Sequence, residues 1–402
     1  MLGMDAQQRT FTNMKVFYFL AYFSFGGLFP LLSVYFQNEI ELSGSQIGMI
    51  TSIGPIVMLL TQPVWGLLSD YTKRPRLLLT IAVIGTGSVG FTYLLAEEYV
   101  ILVAIAAGLA MFQSAIIPLS DSMAMNYVYK NGGDYGNIRM WGAVGFALAV
   151  WFMGMLSDWL GQGIIFYGFA LVLFISAYFS LGMPKESVTA KVDIRGGMKE
   201  LVKVPGFLLF LIVTFLVFGP IMANNFYFGL LIQFSGGSLA GVGFAFLLAA
   251  GSEVPFMRWA GQWIRKRGIL VILFVAALAS GIRWIFYSTG PTPEFIYMTT
   301  IIQGFSIGLF VPAALQYVTE LAPKEVKATA VAIYSAVGNG LGAWFFSISA
   351  GLIMEWSSIL SVYLFYGIFT LSGAALTLWM IRSKKAESSN GLAIAEPKLK
   401  EH

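Results

Sequence analysis

The sequence predicts an all-α membrane protein whose twelve transmembrane helices form two pseudo-symmetric bundles of six. Three observations support this prediction: the composition, a series of twelve apolar runs, and an internal repeat. Of the 402 residues, 57% are hydrophobic and 11% are charged, whereas soluble proteins contain about 45–50% apolar and about 25% charged residues. A water-soluble fold could not bury this much apolar surface, so a lipid bilayer is the expected surrounding.

The apolar runs have the length that a membrane helix needs. A bilayer core of about 30 Å is crossed by about 20 helical residues. Runs of this size lie near 14–36, 46–68, 77–96, 99–127, 139–160, 164–183, 206–234, 240–263, 269–288, 295–319, 327–354 and 358–382. The first run follows a short polar lead and shows no A-x-A cleavage site, so we expect it to be retained as the first span.

Basic residues between the runs all fall on one side of the predicted membrane. These residues are Arg9, Lys15, Lys73, Arg74, Arg76, Lys130, Lys185, Lys191, Arg195, Lys199, Lys203, Arg265, Lys266, Arg267, Lys324, Lys327, Arg382, Lys384 and Lys385. The loops of the opposite side carry Glu39, Glu41, Glu97, Glu98, Asp158, Glu294 and Glu355. The positive-inside rule places the basic side and both termini in the cytoplasm, so we expect a multi-pass protein of the cytoplasmic (inner) membrane. The net charge of +4 therefore indicates topology, and no nucleic-acid partner is expected.

A repeat divides the chain into halves. Residues 143–152 and 336–345 agree at six of ten positions with an offset of 193, and Pro118 and Pro312 are separated by 194. Repeats of this kind are typical of transporters with a site between the two copies. We predict a first bundle at 1–183, a cytoplasmic loop at 184–205, a second bundle at 206–382, and a polar, disordered cytoplasmic tail at 383–402.

Two charges lie within or beside the apolar runs of the central stretch. Asp121 and Arg139 flank a short polar turn at 131–134. A charge at bilayer depth costs roughly 2.5–3.5 kcal/mol, so such residues persist where they pair or face a wet cavity. Arg139 offers a planar fork of donors for hydroxyl, carboxylate or phosphate groups. The pair is either a solute site or an ion pair that locks two helices, and we favour the solute site because buried ion pairs contribute little net stability.

The second half holds a similar acid and base. Glu253 precedes Pro255 within a run, and Arg283 lies deep in the next run. A carboxyl group in a low-dielectric site takes up a proton more readily than in water, as a proton carrier must. Glu253 is therefore a candidate proton carrier and Arg283 its coupling partner. The alternative is a cavity-lining acid paired with Arg258 or Arg283.

The loop after the second run resembles that of the major facilitator superfamily. That superfamily has a glycine, an aspartate four residues later and a basic cluster, as in Gly66, Asp70, Lys73, Arg74 and Arg76. The resemblance implies that these charges form a cytoplasmic gate, while basic side chains that anchor the helix in the lipid interface are the alternative.

Within the superfamily, the central stretch is similar to lactose permease and to the phenylpropionate and nucleoside proton symporters. Pro118 with Asp121, and the pattern from Tyr135 through Arg139 to Phe146, carry this similarity. It implies that Asp121 and Arg139 bind solute hydroxyls, that Phe146 underlies a sugar ring, and that Arg283 takes part in coupling. Gln303 and Ser306 stand where lactose permease has the histidine and glutamate of its proton machinery, so the route of any proton differs here.

The remaining polar candidates are amides and aromatics. Asn224, Asn225, Gln303 and Trp141 are expected to contact solute, although interhelical hydrogen bonds and lipid-facing aromatics are common alternatives. The chain has no cysteine, its one histidine is the last residue, and no P-loop motif is present. We therefore expect no metal, no cofactor and no enzymatic activity.

Together these features predict a monomeric secondary active transporter that moves a sugar, an oligosaccharide or a nucleoside by alternating access. The proton is the expected co-substrate. A proton-driven exporter of amphipathic compounds and a uniporter are the alternatives, and a membrane receptor or scaffold is a third possibility from another class.

Overall fold

The computed structural model describes residues 6–185 and 194–389. Its helices are α1 Ala6–Asn38, α2 Gly44–Thr72, α3 Pro75–Phe91, α4 Tyr99–Asn131, α5 Tyr135–Leu160, α6 Ile164–Ser180, α7 Ile194–Leu201, α8 Phe207–Phe234, α9 Leu239–Arg267, α10 Ile269–Ser288, α11 Pro293–Leu321, α12 Lys327–Ser335, α13 Ala343–Trp356 and α14 Ile359–Ser389. Short 3₁₀ turns follow α3 and precede α12.

The all-α membrane fold is confirmed over the described ranges. Eleven helical segments are long and apolar enough to cross a membrane, and α6 is a shorter apolar helix. Two details differ from the prediction. The short helix α7 lies inside the segment predicted as a loop, where Gly197 packs against Thr329 of α12. The last helix continues to Ser389, so the first part of the predicted disordered tail is helical; residues 390–402 lie outside the described ranges.

Each half has the same packing pattern. In the first half, α1 packs against α5 and α6, α4 packs against α2 and α3, and α3 packs against α6. In the second half, α8 packs against α13 and α14, α11 packs against α9 and α10, and α10 packs against α14. The two patterns coincide when α8 is matched to α1, as the internal repeat predicts. The exact domain boundaries remain a prediction.

The second copy of the repeat has a local change in helical geometry. Residues Ala336–Gly342 form a π-helical segment that joins α12 to α13, whereas the first copy lies within the regular helix α5. Gly338 and Gly342 of this segment face α8, where Phe218 and Gly219 approach them closely. π-Helical segments are frequent at functional sites, and this one leaves Asn339 exposed.

The halves meet through α2 with α13, α5 with α9, and α1 with α8. We call the side whose loops carry the acidic residues the acidic side. Near it these contacts are close: Gly48 abuts Gly351, and Gly154 abuts the backbone of Leu239. Gly66 lies 18 residues after Gly48, on the same face of α2 because five helical turns are 18 residues. Apart from its chain neighbours and the nearby backbone of its own helix, no heavy atom of the described residues lies within 4 Å of the position that the Cβ of Gly66 would take. The halves therefore touch at the acidic side and diverge towards the basic side.

Two carboxylates join the halves at the acidic side, and we call them the paired caps. Asp158, at the end of α5, accepts hydrogen bonds from the backbone N–H groups of Leu239 (3.2 Å) and Ala240 (2.9 Å) at the start of α9. Glu355, at the end of α13, accepts from the Ser45 N–H (2.7 Å) and the Ser43 hydroxyl (3.1 Å) at the start of α2. Helix starts carry unsatisfied N–H groups and a partial positive charge, so a carboxylate from the opposite half satisfies both.

Candidate functional site

The turn between α4 and α5 brings the two charges of the central stretch onto neighbouring helices. Gly132 and Gly133 adopt positive φ angles of 75° and 114°, which only glycine adopts without strain. The carboxylate of Asp134 then accepts the Gly136 N–H at 2.8 Å and begins α5. The turn places the end of α4 beside the start of α5, and the contacts of Asp121 and Arg139 with α1 bring the two side chains near each other.

Asp121 is held by a tyrosine that the sequence analysis did not single out. The hydroxyl of Tyr18 on α1 donates to Oδ1 of Asp121 at 2.6 Å. Tyr18 is 1% exposed, whereas Asp121 is only partly buried. A hydrogen bond to a charged acceptor inside a packed helix bundle is among the stronger ones in proteins, so Tyr18 fixes the position of this carboxylate.

Arg139 lies over a second tyrosine of α1. Its guanidinium carbon is 4.4 Å from the centre of the Tyr22 ring, within the range of a cation–π interaction. The ring fits there because Gly142, the next turn of α5, has no side chain to occupy that space. Among the described residues Arg139 and Asp121 form no direct ion pair. This conformation therefore does not contain the alternative, an ion pair that locks α4 to α5.

The α1 residues could have been found from their spacing. Tyr18, Tyr22, Phe25 and Phe29 recur at intervals of three and four residues, which places them on one helix face. Consecutive rings in this series have centroids 6.0 to 6.3 Å apart. In a chain with 15% aromatic residues, an aromatic stripe is a weaker signal than a charge within an apolar run.

The α5–α9 contact fixes the positions of Arg139 and Glu253 relative to each other. The two helices run antiparallel, and the ring of Phe146 meets that of Phe246 with centroids 6.0 Å apart. Arg139 precedes Phe146 by seven residues, and Glu253 follows Phe246 by seven. Seven residues are close to two turns, so each charge lies about 10 Å further towards the basic side on the same helix face as its phenylalanine. Arg139 and Glu253 thus occupy matching levels on facing helices of the two halves.

Glu253 has no hydrogen-bond or ion-pair partner among the described residues. It is partly buried, and its backbone is packed by α11, where Gly304 and Gly308 abut residues 249–257. The alternative of a pair with Arg258 or Arg283 does not occur in this conformation. The carboxyl group is therefore free to meet a solute or a proton.

Arg283 is held within the second half instead. It is 2% exposed, its Nη1 donates to Oε1 of Gln303 at 2.6 Å, and its guanidinium carbon lies 4.0 Å from the centre of the Trp284 ring. In this conformation Arg283 contacts an amide and an aromatic ring instead of Glu253, and its coupling to Glu253 stays a prediction. Gln303 is thus engaged by Arg283, and its solute role stays a prediction.

The two predicted asparagines of α8 differ. Asn224 is buried and accepts the Tyr363 hydroxyl at 2.7 Å, so it joins α8 to α14. Asn225 is partly buried and lies next to Phe226, whose ring meets Phe29 of α1 at 6.1 Å. Gly229, one turn further along α8, abuts Pro30 and Val34 of α1, so Asn225 lies on the α8 face that meets the first half and is the better placed of the two for a solute between the halves.

Trp141 is separated from the other candidates. It follows Arg139 by two residues, which is a rotation of about 160° to the opposite face of α5. It is 40% exposed and meets Phe19 at 6.4 Å. Trp141 thus contacts α1 at Phe19 from another face of α5, whereas Asp121 and Arg139 contact α1 at Tyr18 and Tyr22.

The predicted gate residues are not engaged in this conformation. Asp70, Lys73 and Arg74 are exposed, and Arg76 is partly buried. None of the four forms an ion pair with another residue of the described ranges. Lys73 ends α2 in a left-handed conformation with φ of 53°. Within the same ranges, no group of three or more acidic or histidine side chains could hold a metal ion.

The chain matches known transport proteins along nearly its whole length. The model of the MFS_1 like family matches residues 11–365. A maltose permease of Geobacillus stearothermophilus is 48% identical over 379 residues, which cover 93% of this chain and 95% of that protein. The uncharacterized transporter YwbF of Bacillus subtilis (strain 168) is 43% identical, with 94% and 95% covered. The solved structure of the nucleoside transporter NupG has a TM-score of 0.84 at 17% identity, covering 94% of this chain and 99% of that one.

Proposed function

The chain belongs to the MFS_1 like family, and from this membership we propose a secondary active transporter of the cytoplasmic membrane that takes up a sugar by alternating access. It is a multi-pass membrane transporter and not an enzyme. The direction of transport, the coupling ion, the monomeric state and the identity of the membrane belong to the proposal.

The solute we propose is a neutral disaccharide of the maltose type. A relative with 48% identity carries the name maltose permease, and the residues around Asp121 and Arg139 offer both an acceptor and a fork of donors for hydroxyl groups. A nucleoside is the second candidate. The likeness to NupG at 17% identity supports the fold rather than the substrate.

One observation carries the proposal: Arg139 and Glu253 lie at matching levels on facing helices of the two halves. The α5–α9 register that places them is set by the contacts Phe146 with Phe246 and Gly154 with Leu239. Charged groups in apolar spans persist where they pair or face a water-filled cavity, so charges at one level on facing helices of both halves favour a polar ligand between them. A solute that bridges the halves would stabilise a closed state and so link binding to the movement of the halves.

The contacts between the halves support alternating access. The glycine contacts and the paired caps close the acidic side, while the gate residues Asp70, Lys73, Arg74 and Arg76 on the basic side are unpaired. We propose that these four residues close the basic side in the opposite conformation, when the paired caps have broken.

We propose proton symport with Glu253 as the proton site. Its carboxyl group has no partner among the described residues, so protonation does not have to break an existing ion pair. Arg283 would act on Glu253 only through rearrangement of its contact with Gln303. This arrangement uses a single carboxyl group and no internal histidine.

The experiment compares Glu253→Gln with wild type in proteoliposomes. We expect the variant to exchange labelled maltose across the membrane and to lose accumulation driven by an inward proton gradient. Glu320→Gln is the matched control, since Glu320 is exposed and bonded to Gln316 of its own helix at 2.8 Å. Gradient-driven accumulation by Glu253→Gln would refute the proton role. Wild-type exchange without accumulation would identify a uniporter, and expulsion of amphipathic compounds would identify the exporter.

A further inference from the structure

The first half keeps its acid and its base apart, and two tyrosines of one helix hold them. The Tyr18 hydroxyl is 2.6 Å from Oδ1 of Asp121, and the Tyr22 ring lies 4.4 Å from the guanidinium carbon of Arg139. The two rings are stacked, with centroids 6.3 Å apart and an angle of 8° between their planes. The separation of the two charges is therefore set by one turn of α1.

We propose that Tyr18 and Tyr22 are positioning residues that hold Asp121 and Arg139 unpaired, so that the site selects a neutral solute with adjacent hydroxyl groups and rejects an anion. This inference rests on the proposed function and names the chemistry that the site selects. It adds α1 to the first half's part of the site, where the sequence indicated α4 and α5 only.

The chemical selection follows from the unpaired charges. If Asp121 and Arg139 paired directly, each would satisfy the other and neither would favour a polar solute. Held apart, the carboxylate accepts a hydrogen bond from one hydroxyl group and the guanidinium donates to a second. A solute carboxylate or phosphate would match Arg139 but would bring a like charge next to Asp121, which is unfavourable in a partly buried site.

The burial of the tyrosines supports a positioning role. Tyr18 is 1% exposed, so it cannot itself be a main contact for solute. The Tyr22 hydroxyl is buried and forms no hydrogen bond of good geometry with a described residue, although it interacts electrostatically with Arg139; the contact of the ring with the guanidinium is the support that the geometry shows. Tyr135 at the start of α5 also lies close to Asp121 and Arg139, which gives the acid a second neighbour outside α1.

The two tyrosines therefore predict different substitutions. Tyr18→Phe removes the α1 hydroxyl that donates to Asp121 at 2.6 Å and leaves Tyr135 as the neighbour of this carboxylate. Because hydrogen bonds to charged groups are the stronger class, we expect the KM for maltose to rise about tenfold or more while the maximal rate stays within about twofold. Tyr22→Leu should also raise KM, and Tyr22→Phe, which keeps the ring, should raise it less. Tyr35→Phe is the matched control. It removes a hydroxyl from the same helix, at a position where the ring of Tyr35 packs against Phe166.

The experiment measures counterflow of labelled maltose by the full-length protein in proteoliposomes, with thermal unfolding as a check that each variant is folded. Maltobionate, a disaccharide with a carboxylate, serves as the anionic competitor. We expect it to inhibit wild type weakly and Asp121→Asn more strongly, because the variant no longer repels an anion.

Equal KM values for Tyr18→Phe and Tyr35→Phe, or inhibition of wild type by maltobionate as strong as by maltose, would overturn the inference and leave the proposed function intact. If Tyr18→Phe does not fold, the KM values of Tyr22→Leu and Tyr22→Phe test the positioning role, and the competition between maltose and maltobionate in wild type tests the rejection of an anion. Absence of maltose counterflow in wild type would overturn the proposed disaccharide substrate, and this inference with it.

Discussion

Removal of the Asp158 cap should open the acidic side of the protein. In Asp158→Ala, the backbone N–H groups of Leu239 and Ala240 lose the carboxylate that accepts them at 3.2 and 2.9 Å. Because this carboxylate belongs to α5 and the N–H groups to α9, the lost interaction stabilises only the conformation in which the halves touch. Water satisfies the same groups when the halves separate, so the substitution shifts the balance between conformations and leaves each half intact.

The size of the shift follows from the chemistry of helix starts. Loss of a capping side chain typically costs about 1 kcal/mol in helices and proteins. Because Asp158 is exposed, we use this typical cost and not the upper limit of the range. One kcal/mol corresponds to about a fivefold change in an equilibrium constant, since 1.36 kcal/mol is tenfold. We therefore expect the population that is open at the acidic side to rise about fivefold.

The assay uses the absence of native cysteine. Val34→Cys introduces one thiol on α1 at a site that is 0% exposed and next to Gly229 of the other half. A membrane-impermeant maleimide added from the acidic side labels this thiol only when the halves separate there. The labelling rate should rise about fivefold in Asp158→Ala. Glu294→Ala is the control. It also removes a carboxylate on the acidic side, but this carboxylate accepts a hydrogen bond from Thr292 of its own half at 2.6 Å. An unchanged rate in Asp158→Ala, or an equal rise in the control, would refute this reasoning.

Three further tests address separate parts of the structure. Gly351→Ala should raise the same labelling rate, since a Cβ there would lie 2.5 Å from the Gly44 oxygen and the Gly48 Cα; a rate equal to that of the parent would show that this contact does not close the acidic side. Gln303→Ala should destabilise the protein by about 2 kcal/mol, because Arg283 loses its hydrogen-bond acceptor, and thermal unfolding in detergent should show no such loss for the exposed Gln316→Ala. Trp141→Leu should leave the maltose KM within about twofold of wild type, while Phe146→Leu should raise it. A raised KM in Trp141→Leu with an unchanged KM in Phe146→Leu would show that Trp141, and not Phe146, belongs to the site.

The fold could be predicted from the sequence because the bilayer imposes a simple rule. A run of about 20 apolar residues must form a helix to satisfy its backbone groups, and the repeat around Pro118 and Pro312 assigned the helices to two halves. The ends of helices were less accurate. The helix α7 is short and polar, and the apolar pattern of α14 ends before the helix does, so neither feature had a hydropathy signal.

The site could be predicted only in part, because charges in apolar runs identify residues but not their partners. Asp121, Arg139 and Glu253 stood out by their cost in lipid. Their neighbours did not, since Tyr18 and Tyr22 are ordinary residues of an aromatic-rich helix and reach the charges only through α1–α5 packing. The pairing of Arg283 with Glu253 was inferred from opposite charge, whereas the helix register places Gln303 and Trp284 around the arginine.

The central claim is that the two halves share one solute site, and protection of cysteines by solute tests it most directly. Ala143→Cys lies on α5 between Arg139 and Phe146, and Met257→Cys lies one turn beyond Glu253 on α9; both positions are exposed. Each single thiol is reacted with a polar maleimide at increasing maltose concentration. We predict that maltose slows both reactions with the same half-maximal concentration. Protection of only one thiol, or of neither, would contradict a site shared between the halves.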